Sequence, residues 1–249
     1  MKSTLYSVLI LIATLPAAAG LTYDFSTVTS GAAASTQTAH AAVQGSDVRL
    51  EFEKGDGMVF KDGAIALSHD AGSTLYVLDP GAKTYYLIDL DAVGGGGMLG
   101  MLQLSNEKVN VRDAGDGGVI QGFPTRRTIV TAGADVAVGT TVSMHLDVTM
   151  ETWSTDKLPA DAASFLSRKG ASTGLPILDK LIAAQSKASK GFPLKQTTTV
   201  HILQGGRETV GMTANTTVTN VRNAAIAKAR FALPAGFRKT ESPFDKLTK

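Results

Sequence analysis

The sequence contains no cysteine. That excludes disulfides, thiolate metal sites and thiol catalysis, and it removes the residue a lipid-anchored envelope protein carries at its mature N-terminus. Aromatic residues make up 6% of the chain, with a single tryptophan, and charged residues 18%. The basic residues are dispersed, without the aromatic interleaving of a nucleic-acid platform. No Gly-x-Ser-x-Gly elbow occurs. The glycine run at Gly94 to Gly97 lacks the Lys-Ser/Thr of a P-loop and the spacing of a dinucleotide site. No apolar run beyond the N-terminus reaches the length of about 20 residues that a membrane helix needs.

The N-terminus is the plainest positive signal. Lys2 is followed by an apolar stretch from Leu5 to Leu15, then Pro16 and the small residues Ala17, Ala18 and Ala19. This is the layout of a secretory signal cleaved near Ala19. It predicts a free periplasmic protein, not integral to the membrane, in a single domain over residues 20–249. Charge is divided unevenly. Residues 20–124 carry six basic and thirteen acidic side chains, a net of −7; residues 125–249 carry seventeen and nine, a net of +8. Two readings are open: halves that neutralise each other within one fold, or a basic face turned to an anionic partner.

Alternation of apolar and polar residues dominates the rest. In Val142 to Glu151, Val142, Met144, Leu146, Val148 and Met150 take one face, and Ser143, His145, Asp147, Thr149 and Glu151 the other. Similar strands are predicted at 21–30, 47–53, 64–69, 74–79, 83–90, 108–113, 126–132, 194–203, 209–221 and 228–233. Gly-, Pro- and Asp-rich turns separate them, which predicts antiparallel hairpins and no doubly wound sheet. A helical insertion is predicted over about 157–190, as a pair of helices. Leu158, Ala162, Phe165 and Leu166 form the stripe of the first, and Leu175, Leu178, Leu181 and Ile182 that of the second. Asp91 to Leu104 reads as a glycine hinge leading into a short apolar helix. Its residues Met98, Leu99, Met101 and Leu102 form either a core plug or the lid of an apolar cavity. Trp153 falls out of the apolar parity of its strand, which predicts a bulge or a strand end there.

Catalytic constellations are weak. Ser68, His69 and Asp70 are consecutive, and neighbours on a strand point to opposite faces, so they form no relay. His40, His69, His145 and His201 show no metal-ligand spacing. The reading is therefore non-catalytic, with no metal and no cofactor.

Three segments carry a family resemblance: Glu151 to Asp156 closing a strand, Lys190 to Lys195 resuming the strands, and Phe231 to Phe237 near the end of the chain. With the signal and the long meander, they resemble an uncharacterised bacterial envelope family, a domain of unknown function. That family is in turn similar to the lipoprotein-carrier superfamily of LolA, LolB and RseB. The resemblance implies a mainly β (α+β) fold, an incomplete antiparallel barrel of about eleven strands with helices over its concave side. It also implies a ligand: a lipid or a lipoprotein acyl chain held in an apolar groove by a monomer. Met98, Leu99, Met101, Leu102, Phe165, Leu178 and Leu181 are the expected lid or lining. A protein-interaction or stress-sensing module with no small ligand is the alternative.

Overall fold

The computed structural model describes residues 20–57, 59–89, 102–138, 142–159 and 176–243. Among these residues twelve strands form one sheet: β1 (Gly20–Gly31), β2 (Ser35–Gln44), β3 (Asp47–Lys54), β4 (Ile65–Ser68), β5 (Thr74–Asp79), β6 (Thr84–Asp89), β7 (Leu102–Ile120), β8 (Phe123–Val138), β9 (Val142–Thr155), β10 (Phe192–Gln204), β11 (Arg207–Ala224) and β12 (Arg238–Lys239). Their order across the sheet is β12-β6-β5-β4-β3-β2-β1-β11-β10-β9-β8-β7. Two meanders, β1–β6 and β7–β11, thus meet at one seam, where β1 pairs with β11 from Gly20↔Ala224 to Gly31↔Met212. Every pair is antiparallel except β12 with β6. The sheet is open, with β12 and β7 at its two edges: the mainly β, incompletely closed architecture is as expected, with twelve strands among the described residues and no closure into a barrel.

The sheet is strongly curled. The turn between β7 and β8 lies three strand spacings from β11, about 14 Å if the sheet were flat. Yet the Gln121 amide donates to the Val218 carbonyl on β11. Ile120 and Phe123, flanking that turn, pack against the cluster of Leu21, Tyr23, Phe25, Leu50 and Leu194. The face turned toward this contact is the inner one. On it, Tyr23 and Phe192 meet edge to face, their ring centroids 5.2 Å apart. Phe60, from the loop after β3, stacks on Phe52 at 4.3 Å.

One helix is described, α1 (Pro176–Ala188). Proline suits the first turn, where its missing N–H has no intrahelical partner. Asp179 near the start and Lys187 near the end complement the helix dipole. Ile177, Leu181 and Ala184 recur at helical spacing and pack on Val130, Ala132, Ala134 and Val148, which places α1 on the inner face over β8 and β9. The second of the two predicted helices is thus present, with Ile177 in the stripe. The first falls largely on residues outside those described.

On the outer face, the segment after β11 crosses back over the sheet. Ile226 and Phe231 are buried against Ala42. Arg49 donates to the Arg230 carbonyl at 3.1 Å, and the strap ends where Arg238–Lys239 pairs with β6. The strand expected at 228–233 is instead a short 3-10 helix, Lys228–Phe231. Its single buried side chain, Phe231, anchors a crossing segment rather than one face of a strand.

Candidate functional site

Strand register fixes what each face presents, because residues opposite one another share a face. The outer face over β8 to β11 is polar. His145 lies opposite Asp135, and His201 lies opposite Asp147. His145 Nδ1 is 2.6 Å from Asp135 Oδ1, and its Nε2 is 3.3 Å from Asp147 Oδ1. His40 and Asp24 pair likewise at 2.7 Å, and His201 and Glu208 at 3.0 Å. The hydrogen bond to Asp135 raises the His145 imidazole above its ordinary 6.5, with desolvation opposing it and the charge of Asp147 adding to it. The Asn106 amide and then His145 hold Asp135 below the usual carboxylate range. A raised histidine contributes its stabilisation fully below its unfolded pKa, and loses it as pH rises through the folded one. The expected result is an NMR titration of His145 with a midpoint above 6.5, which falls in Asp135→Asn. A midpoint unchanged by that substitution would contradict the pairing. The pair is exposed, so its effect on stability is small.

Ser68, His69 and Asp70 form no relay. Ser68 Oγ donates to Asp70 Oδ1 at 2.7 Å and accepts from the Gly72 N–H, closing a turn, while His69 pairs with Asp47. Of the bulge or strand end expected at Trp153, the structure shows a strand end, at Thr155, and no bulge. The register of β9 with β8 runs unbroken from Val142 to Ser154, and the irregularity lies in β10, between Pro193 and Lys195. Trp153 sits on the polar outer face between two cations, with Lys195 Nζ 4.5 Å and Arg127 Cζ 5.2 Å from its ring. Arg127 in turn donates to Glu151 at 3.0 Å. The ring's electron-rich faces attract those cations, so a tryptophan can stand on a polar face without a core.

The inner face holds the apolar features. Between α1 and the edge strand β7 lies a groove of about 670 Å³, lined by Glu107, Val109, Val111, Ala184, Lys187 and Ala188, with Lys180 at its rim. Val111 is 50% exposed in it. Lys180 pairs with Glu107. Among the described residues Lys187 has no carboxylate partner. A second hollow, about 540 Å³, lies near the β5–β6 turn and carries Lys61, Asp62, Asp79 and Glu241. Two of its carboxylates are committed to backbone, Asp62 to the Gly55 N–H and Asp79 to the Ala82 N–H.

Of the lining residues expected from sequence, Leu181 lies in the apolar layer beneath α1, 1% exposed, so it fills the core and does not line the open groove. Leu178 falls within α1, although its side chain is not among those described. Leu102 begins β7, opposite Val138, which corrects the short helix expected to run through 104. Met98, Leu99, Met101 and Phe165 lie outside the described residues. Val109 and Val111, alternating in a predicted strand, were the legible part of the groove. Ala184 and Ala188 carry no sequence signal beyond helical spacing.

Comparison with known proteins gives a family and a set of distant folds. A family described as "Domain of unknown function (DUF4412)" matches residues 27–237. No curated protein matches. Among solved structures, a LolA superfamily protein from Nitrosomonas europaea aligns at 7% identity and a TM-score of 0.31, over 88% of this chain and 91% of that one. A DUF1329 family protein from Desulfovibrio piger aligns at 9% identity and 0.33, over 86% and 89%. PNGF-II aligns at 11% identity and 0.36 over 89% of this chain, which spans only 31% of that structure's chain.

Proposed function

This chain belongs to the DUF4412 family, and on that premise we propose that it is a non-catalytic periplasmic binding protein for an apolar chain, such as that of a lipid or lipoprotein. The observation that carries the reading is the groove between α1 and β7. Its floor is apolar and partly exposed, at Val109, Val111, Ala184 and Ala188, and Lys187 stands at its side. Contiguous exposed apolar surface next to a helix is costly unless something covers it. Each methylene buried there contributes about 0.8 kcal/mol. Lys187 offers a counter-charge to a carboxylate or phosphate head group. The histidine–carboxylate pairs support a non-catalytic role, since His40, His145 and His201 lie on the outer face, away from the groove.

The test is binding of a fluorescent fatty acid by the purified protein, with native mass spectrometry of protein taken from its own periplasm. Saturable binding, displaced by unlabelled oleate, is expected. Val111→Glu, at an exposed position where folding tolerates change, is expected to weaken binding at least about tenfold by setting a carboxylate in the chain's path. No co-purifying lipid and no saturable binding would refute the proposal.

A further inference from the structure

The inner face is not apolar throughout. Thr128 on β8 lies opposite Thr152 on β9, and Thr152 lies opposite Gln196 on β10. Gln196 lies opposite Thr216 on β11, and Thr216 opposite Thr27 on β1. One registered row therefore crosses five strands with a hydroxyl or amide at every position. The row divides the two apolar clusters. Val218 and Phe25 follow it on one side, Val130 and Val148 on the other, each on the same face. Thr27 and Thr216 bond each other at 2.9 Å, and Gln196 donates to Thr198 at 3.3 Å.

Gln185, in the last turn of α1, projects into this row. It is 7% exposed. Its Nε2 donates to Thr152 Oγ1 at 2.5 Å and to Ser189 Oγ at 2.6 Å. Its Oε1 is buried and has no partner among the described residues. Turning the amide over exchanges the two atoms but still leaves one of them unpaired, so the orphan does not depend on the assignment. A buried polar atom without a partner is destabilising, and native proteins seldom keep one without a use. Ala184 and Ala188, on the same stretch of α1, line the groove, while the Gln185 side chain beside them points toward β9.

We infer that the inner face is built for an amphiphile carrying an amide or hydroxyl next to its apolar chain, with that group hydrogen-bonded to Gln185 over the threonine row. An amide or hydroxyl both donates and accepts, and so meets either orientation of the Gln185 amide. An ester only accepts, so it cannot serve Oε1, the atom left unpaired as Gln185 stands in the structure. The inference rests on the binding reading above and adds the polar class of the ligand.

Matched probes separate the two. Oleamide and methyl oleate share their chain and differ in the hydrogen-bonding group. Titrated against the full-length protein, oleamide is expected to bind about tenfold more tightly than methyl oleate, one hydrogen bond to a buried partner. Gln185→Leu is expected to erase the difference by weakening oleamide binding about tenfold. Thr152→Val serves as a second, nearly isosteric variant with the same expectation, should the first fail to fold. Equal affinities in the unsubstituted protein, or a difference that survives both substitutions, overturn the inference and leave chain binding standing. Absence of binding by either probe overturns both.

Discussion

Phe192→Ala is expected to cost about 3–5 kcal/mol of stability, read as a shift in the denaturant midpoint at unchanged slope. Phe192 is fully buried, at 0% exposure, and so is Tyr23. One strand, β11, stands between theirs in the sheet, yet their rings are in edge-to-face contact. Truncation removes the ring and opens a cavity that curvature cannot easily close, because β1 and β10 are both held by pairing on either side. The adjacent Leu194, also at 0% exposure, cannot move into the gap without leaving its own place in the core. A loss under about 1 kcal/mol would mean that the curl seen across the seam is not what the core depends on.

The second large effect comes from adding one carbon. Gly55→Ala is expected to destabilise the protein by about 3 kcal/mol, at the upper end for overpacking. A Cβ on Gly55 would lie 1.8 Å from the Phe60 carbonyl oxygen and 2.5 Å from its carbon. Both are backbone atoms, so no side-chain rotation relieves the clash. The loop is tied on each side of that approach. Asp56 accepts from the Val59 and Phe60 N–H groups, and Asp62 accepts from the Gly55 N–H. Opening it lifts Phe60 from Phe52. The neighbouring Gly57 has φ +75 but nothing near its Cβ position, so Gly57→Ala tests backbone strain alone and is expected to cost less. Thermal melts of the two variants side by side would check the ranking, and a milder effect at Gly55 would contradict it.

Much of the sheet was readable from its alternation. The strands at β1, β3 and β9 present one apolar face over an otherwise polar one, and their bounds follow the pattern. β2 was missed because Ala39, Ala41, Ala42 and Val43 are buried on both sides. Its inner face meets the core and its outer face meets the strap through Ala42, so the expected period of two is absent. The strap itself was misread for the converse reason. The pattern at 228–233 suggested a strand, but Phe231, with Ile226 before it, serves as an isolated anchor for a segment crossing the sheet. The change of parity at Trp153 marks the approach of the strand end at Thr155 and the ring's place between Arg127 and Lys195, with no bulge in β9. The polar row was illegible for a deeper reason. Thr27, Thr128, Thr152, Gln196 and Thr216 are scattered over 190 positions, and only the pairing register brings them into line. Local periodicity shows which face a residue takes. It does not show what stands beside it on the next strand.

The seam between β1 and β11 has a kinetic consequence. Each meander can assemble from neighbours in sequence, since its hairpins close short loops. The seam joins residues about 200 positions apart, and its loop-closure entropy is met only after the last long strand has been made. Until then β1 offers a free edge with Leu21, Tyr23 and Phe25 beside it, a template for pairing with another chain. The sheet therefore cannot be completed while the polypeptide is still emerging. Its folding is delayed until β11 has been made, and a chain shortened before β11 retains the open edge that the complete sheet conceals.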